Sequence, residues 1–408
     1  MNALSIEKLI SDCESRLKDL FTAADDIALK NQKKTLDAFR KEKIALRHFN
    51  GSTGYGYGDD GRDALKRVYA DVFNTESAVV SPNIVSGTHA LSVALYALLK
   101  PGDRILFISG EPYDTLKNVV DSGEYSLRSL GVVVDYVPLK NGAVFDYEKI
   151  EEYLKNKPDM IYVQRSRGYD EREAISVEEI GNAKKFIEER GFSGIYFVDN
   201  CYGEFVEDLE PTDVGADICC GSLIKNIGGG IAPTGGYIVG KKNLCEKIEA
   251  RLTSPSIAGE VGSYAFGYQY FYQGLFIAPH VVCQAVKGSL LIGAALSELG
   301  FSTIPNAYKT PYDITRSVVL KTKENLIKFV QAVQQTSPID SFVSVEPSEM
   351  PGYEHQVVMA AGCFIQGSSI ELSADAPIKE PYNVFIQGGL TYEHVKLCLK
   401  EILSGLEI

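Results

Sequence analysis

Between about residues 63 and 239, short apolar runs alternate with amphipathic helical stretches, and this alternation restricts the chain to one class of architecture. Runs at 78–85, 104–108, 132–137, 160–164, 195–199, 217–222 and 236–239 read as strands. Helical patterns at 62–73, 89–99, 146–155 and 177–189 lie between some of them. Short, mostly apolar strands separated by helices predict an α/β unit whose largely parallel sheet is covered on both faces. Ligands of such sheets bind beyond the carboxyl ends of the strands. Upstream, residues 4–48 place Leu17, Leu20, Phe21, Ala24, Ile27 and Ala28 at three- and four-residue steps, the pattern of a docked helical arm. Downstream, a helix at 281–299 leaves the α/β unit. Strands at 315–320, 342–345, 357–360 and 369–372, with helices at 324–335 and 391–403, describe a smaller α+β domain. The expected division is an arm at 1–50, a large domain at 51–275 and a small domain at 276–408.

Within this frame Lys225 stands out. It sits in Ser222-Leu223-Ile224-Lys225-Asn226-Ile227-Gly228-Gly229-Gly230, after an apolar run and before a glycine cluster, with no acid beside it. A long cation at the inner end of a strand is costly unless it is paired or chemically used. The run at 195–199 ends in a carboxylate, Asp199, about one crossover upstream. A lysine and an aspartate at strand ends are the pair that pyridoxal 5'-phosphate requires. The amine forms a Schiff base with the aldehyde, and the acid keeps the ring nitrogen protonated so that the ring accepts electrons.

Other residues fall at the same sheet edge. Ser86-Gly87-Thr88 follows a strand and opens a helix, where backbone N–H groups, hydroxyls and the helix dipole suit a phosphate. The same triplet is also an ordinary helix cap. Ser222 adds a second hydroxyl. Tyr113, directly after a strand, is placed either to stack on a planar cofactor or to serve as one of 23 structural tyrosines. Tyr55 and Tyr57 lie in a glycine-tyrosine loop that either reaches a neighbouring subunit or packs on its own surface. Gln164-Arg165-Ser166-Arg167-Gly168-Tyr169 ends another strand with two cations. Arg165, Arg167, Arg316 and Lys379 are the candidates for a substrate carboxylate, and the sequence does not choose among them.

The formal net charge of −13 over 408 residues argues against nucleic acid as a partner, because a phosphate backbone needs a basic footprint. No run of 18 or more apolar residues predicts a membrane span, and the first residues lack the pattern of a secretory signal. Eight scattered cysteines read as small core hydrophobes in a reducing, cytoplasmic compartment. Five histidines show no ligand spacing, so no metal site is expected.

With these residues in view, a resemblance can be stated. Its matching stretches are Gly54-Tyr55-Gly56-Tyr57, Ser86-Gly87-Thr88-His89-Ala90, Gly110-Glu111-Pro112-Tyr113-Asp114 and Gln164 through Tyr169. They continue with Val198-Asp199-Asn200-Cys201-Tyr202-Gly203-Glu204-Phe205, Ser222 through Asn226, and Gln387-Gly388-Gly389-Leu390-Thr391-Tyr392. Over nearly its whole length the chain resembles the fold-type I pyridoxal-phosphate enzymes. Among them it is similar to the methionine gamma-lyase-like or aluminium-resistance proteins, relatives of cystathionine beta-lyase. The resemblance implies the PLP-dependent transferase-like fold, a three-layer αβα unit with a smaller α+β domain. It implies that Lys225 is the Schiff-base lysine, Asp199 the ring-nitrogen partner and Tyr113 the ring-stacking residue. Ser86, Gly87, Thr88 and Ser222 would hold the phosphate, with Gln164 beside the cofactor and Tyr55 or Tyr57 arriving from the next subunit of a dimer or tetramer. The implied activity is carbon–sulfur bond cleavage in amino acids such as cystathionine, cysteine or methionine. Aminotransfer, aldol cleavage and non-catalytic cofactor binding use the same residues and stay open.

Overall fold

The computed structural model describes residues 2–349 and 355–407. The chain opens with a 39-residue helix, α1 (Ala3–Lys41), followed by α2 (Asp60–Val72). Next come β1 (Ser77–Ser81), α3 (Gly87–Leu98), β2 (Arg104–Phe107), the single turn α4 (Asp114–Lys117), β3 (Val133–Tyr136), α5 (Tyr147–Leu154) and β4 (Met160–Gln164). The first sheet is completed through α6 (Val177–Glu189), β5 (Ile195–Asp199), β6 (Ile218–Ser222) and β7 (Gly236–Gly240), followed by α7 (Lys242–Leu252). Its strand order is β1-β7-β6-β5-β4-β2-β3, and only β7 runs antiparallel to its neighbours. Strands β4, β5 and β6 have almost no exposed residue, as expected of strands covered on both faces.

A 30-residue helix, α8 (Gln269–Glu298), leads to β8 (Ser302–Ile304), β9 (Thr315–Val319), α9 (Lys323–Thr336), β10 (Val357–Ala360), β11 (Ser373–Pro377), β12 (Asn383–Gln387) and α10 (Tyr392–Gly405). These five strands form a separate antiparallel sheet in the order β10-β11-β12-β9-β8. Helix α8 is long and apolar enough to cross a membrane, but 72% of its most apolar window is buried inside the fold, against α1, α10 and the loop after β6.

Several elements differ from expectation for identifiable reasons. Helix α1 ends at Lys41 because Lys43 takes a left-handed backbone, φ 52°, and 46–49 becomes a 3-10 turn. Strand β1 stops at Ser81, before Pro82, which has no N–H to donate. Helix α8 starts twelve residues earlier than the pattern at 281, since it accommodates Pro279 in its interior. Residues 342–345 form no strand, and Phe342 is 88% exposed. Residues 369–372 form a turn, and the strand begins at Ser373. The sequence of β11, Ser-Ala-Asp-Ala-Pro, carries little strand propensity of its own. It is held by ladders to β10 and β12 on either side.

Candidate active site

The carboxyl ends of β2, β4, β5 and β6, with the amino end of α3, face the second sheet across a cavity of about 840 Å³. At one side Ser86 caps α3, its hydroxyl accepting from the His89 N–H at 3.0 Å. Gly87 opens the helix hard against the neighbouring strand end. A Cβ there would meet Ser222 Cβ at 3.2 Å and Cys201 Sγ at 3.4 Å, a tight contact that would press the helix start away from β6. The Thr88 hydroxyl lies 2.9 Å from the Tyr113 hydroxyl, and the Tyr113 N–H donates to Gln164 Oε1 at 3.0 Å. Burial pushes the Tyr113 phenol well above its ordinary pKa, so it is neutral at physiological pH.

Asp199 ends β5 at 3% exposure. Its carboxylate accepts from the Cys201 N–H at 3.1 Å and from the Tyr162 hydroxyl at 3.4 Å. Burial raises its pKa, while the Lys225 charge and the Cys201 donors oppose the rise. Lys225 lines the same cavity, with Nζ over the Tyr202 ring at 3.9 Å from its centroid. Burial disfavours its charge, yet Cys201, Tyr202, Tyr113 and Asp199 around it outweigh that and hold its pKa well above the usual lysine value. Lys225 and Asp199 therefore feel each other's charge across the cavity.

The backbone geometry of this region is specific. Tyr202 takes φ 73°, a left-handed conformation that aims its ring at Lys225. Asn226 fastens that turn, its amide donating to Tyr202 O at 2.9 Å and Glu204 O at 3.0 Å. The glycines after Lys225 answer to packing. A Cβ on Gly229, where φ is 56°, would lie 2.6 Å from the Gly274 carbonyl of α8, and one on Gly274 would lie 2.4 Å from the Gly228 carbonyl.

The structure gathers Ser86, Gly87, Thr88, Tyr113, Gln164, Asp199, Ser222 and Lys225 around one cavity. Of the four carboxylate candidates it brings only Arg167 and Lys379 there. Arg165 is fully buried in a separate network, donating to Asn200 Oδ1 at 2.7 Å and to Gly203 O at 2.9 Å and pairing with Glu207. Arg316 is fully buried between α8 and the end of β8, donating to Ser289 Oγ and Pro305 O, with its pKa pushed down to about 9 by burial. Neither reaches the cavity: carbonyl oxygens and the Glu207 carboxylate hold Arg165, and a carbonyl and a serine hydroxyl hold Arg316, none of which the sequence pattern reveals. Arg167 donates to Ile304 O at 2.8 Å and keeps Nε and Nη2 without a partner among the described residues. Tyr55 and Tyr57 lie away from their own chain's cavity, stacked on each other at 5.4 Å and exposed.

Some residues of this neighbourhood were not singled out from the sequence, although Glu204 and Gln387 lie inside matching stretches. Glu204 is buried with the Tyr237 hydroxyl donating to it at 2.9 Å, and burial pushes its carboxyl up to about 8. From the second sheet come Asp375, Phe385 and Gln387. A carboxylate on a strand as weakly patterned as β11 had no motif to announce it.

A lysine and a buried aspartate at adjacent strand ends, an anion cradle at a helix start and this sheet order define the fold-type I class of pyridoxal-phosphate enzymes. Within that class, the chain belongs to the methionine gamma-lyase family, whose model matches residues 6–407. The Bacillus subtilis (strain 168) protein YnbB is 46% identical over 405 residues, covering 98% of this chain and 96% of its own. A crystal structure named as a carbon-sulfur lyase involved in aluminum resistance, from Clostridium novyi NT, is 47% identical with a TM-score of 0.94, covering 98% of this chain and 95% of that one. The pyridoxal-5'-phosphate dependent protein YhfS of Escherichia coli shares the fold, with a TM-score of 0.62 at 17% identity over 92% of this chain and 96% of its own.

The residues present fit this cofactor. A side chain at Gly87 would crowd Ser222 at the helix start, the hydroxyls of Ser86, Thr88 and Ser222 line the same cavity, and Lys225 and Asp199 share it without an ion pair that would close the space between them.

Proposed function

We propose that this chain is a pyridoxal-phosphate-dependent carbon–sulfur lyase for sulfur-containing amino acids of the cystathionine, cysteine or methionine type. It would release a thiol, a 2-oxo acid and ammonia by β- or γ-elimination. The observation that carries the reading is the placement of Lys225 and Asp199 on one cavity beside the Gly87 cradle, in a chain of this family.

Ser86, Gly87, Thr88 and Ser222 would hold the phosphate through N–H and hydroxyl donors at the amino end of α3. Lys225 would anchor the aldehyde. When bound, the cofactor supplies an electron sink for the pair left on the substrate Cα. Asp199, a buried acid with two donors of its own, would keep the ring nitrogen charged. With the cofactor bound, Lys225 Nζ would take the α-proton as a neutral amine and keep it as an ammonium, which its surroundings favour, and the Tyr202 ring beside it would restrict where the amine can swing. Tyr113, neutral because it is buried, gives its proton to the departing sulfur. The second sheet walls the far side of the cavity. Incubating the cofactor-loaded protein with one thioether amino acid should yield thiol, 2-oxo acid and ammonia in equal amounts. Turnover that required added 2-oxo acid would replace this reading with aminotransfer.

The partner we propose is a second copy of the same chain. Loop 51–58 is ordered by Ser52 N–H donating to Tyr264 O, Gly262 N–H to Tyr55 O and the Ser263 hydroxyl to Gly54 O. It nonetheless presents Tyr55, Tyr57 and nearby Phe266 and Val85 to water, and Val85 adjoins the Ser86 cradle. An ordered aromatic patch of this kind marks an interface. A monomer mass by light scattering at micromolar concentration would remove it.

A further inference from the structure

Asp375 lines the cavity from β11, on the wall formed by the second sheet, and keeps part of its surface open. Its hydrogen-bond neighbours are both neutral: Gln387 Nε2 donates at 3.2 Å, and the Tyr169 phenol donates as well. Among the described residues no lysine, arginine or histidine pairs with it, although Lys225 attracts it from across the cavity. Burial pushes its carboxyl up to about 6, so it is ionised at neutral pH and its charge is poorly compensated. A carboxylate held in this way, by neutral donors that fix its direction and leave its charge available, is built to meet a cation.

The rest of the cavity lining carries both signs of charge, and two of its cations are engaged away from Asp375. Its lining carries Glu111, Asp114, Asp170, Glu171, Asp199 and Asp375 against Lys117, Arg167, Arg172, Lys225 and Lys379. Lys117 is spent on Glu111 at 2.7 Å, and Arg172 lies 3.8 Å from Asp170. Glu171 is met by the neutral amide of Asn383 at 2.7 Å. A bound phosphate would add further negative charge at the cradle.

Resting on the lyase reading above, we propose that Asp375 is a specificity-determining residue that selects amino acids carrying a second ammonium group beyond the sulfur. The reacting α-amine is directed to the Lys225 side. The distal ammonium then crosses to the second sheet and replaces the missing cation at Asp375. A purely aliphatic tail would leave the carboxylate buried under the substrate without a partner.

The test uses two near-isosteric probes, S-(2-aminoethyl)-L-cysteine and S-propyl-L-cysteine, with the cofactor-loaded protein. Dissociation constants come from the cofactor absorbance change on mixing, and kcat/KM from thiol release. The native protein should favour the aminoethyl compound by about ten- to a hundredfold, the range of a charge-assisted hydrogen bond. Asp375→Asn keeps an acceptor for Gln387 and should bring the ratio of the two probes toward one. A native ratio near one overturns the proposal. So does an Asp375→Asn variant that weakens both probes alike, because a structural role would do that. If the variant does not fold, the native ratio alone decides. If neither probe yields a thiol, the lyase reading fails, while the two dissociation constants still decide the role of Asp375.

Discussion

Lys225→Ala is expected to lower turnover by on the order of 10,000-fold and to abolish covalent retention of the cofactor. The check is borohydride reduction of the yellow native protein, digestion and mass spectrometry. A pyridoxyl group should sit on the peptide that contains Lys225 and be missing from the variant. The competing amines are close in sequence, and an adduct on Lys241 or Lys242 would undo the assignment. Topology argues against them. Strand β7 runs opposite to its neighbours, so the residues that follow its end at Gly240 emerge at the far edge of the sheet from Asp199 and Ser222. There Lys241 already pairs with Asp217, and the Lys242 N–H donates to Glu76. Loss of Lys225 should not unfold the chain, because Asp199 keeps the Cys201 N–H and Tyr162 hydroxyl as donors and can take up a proton.

Asp199→Asn is expected to separate cofactor retention from catalysis. The borohydride adduct on Lys225 should persist, while turnover falls by about 100- to 10,000-fold because the ring nitrogen loses the charge that held its proton. Stability should move the other way. The folded-state pKa of Asp199 is raised above its unfolded value, so the carboxyl costs the fold nothing below the unfolded pKa and progressively more as pH rises through the folded one. The amide removes that cost. Without cofactor, the variant should melt at or above the native temperature at pH 7 and level with it in mild acid. A variant that kept full turnover, or lost its adduct together with its activity, would move the ring-nitrogen contact elsewhere. The expected pattern is a site residue that is expensive to keep and retained for chemistry.

The first sheet was legible because its signal is local. Strands such as 195–199 are apolar throughout, and the alternation with helices fixes the edge at which Asp199, Tyr113, Ser86 and Lys225 emerge. Charge alone was a poor guide. Arg165 and Arg316 look as available in sequence as Arg167, but carbonyls and hydroxyls distant along the chain draw them inside. The second sheet was the least legible part. Strand β11 owes its conformation to two flanking ladders and not to its own residues, so Asp375 on it carried no pattern. The early start of α8 was hidden by Pro279, and the close approach of Gly274 to Gly228 explains glycines that the sequence offered only as a cluster.

The cavity is walled by two sheets with no strand in common, and this has an evolutionary consequence. Residues that would grip the cofactor belong to one wall, while Asp375, Phe385 and Gln387 belong to the other. Mutations on the latter can drift through new side-chain preferences without loosening the vitamin or its covalent tether. A scaffold arranged in this way can diversify among nutrients while its chemistry stays constant.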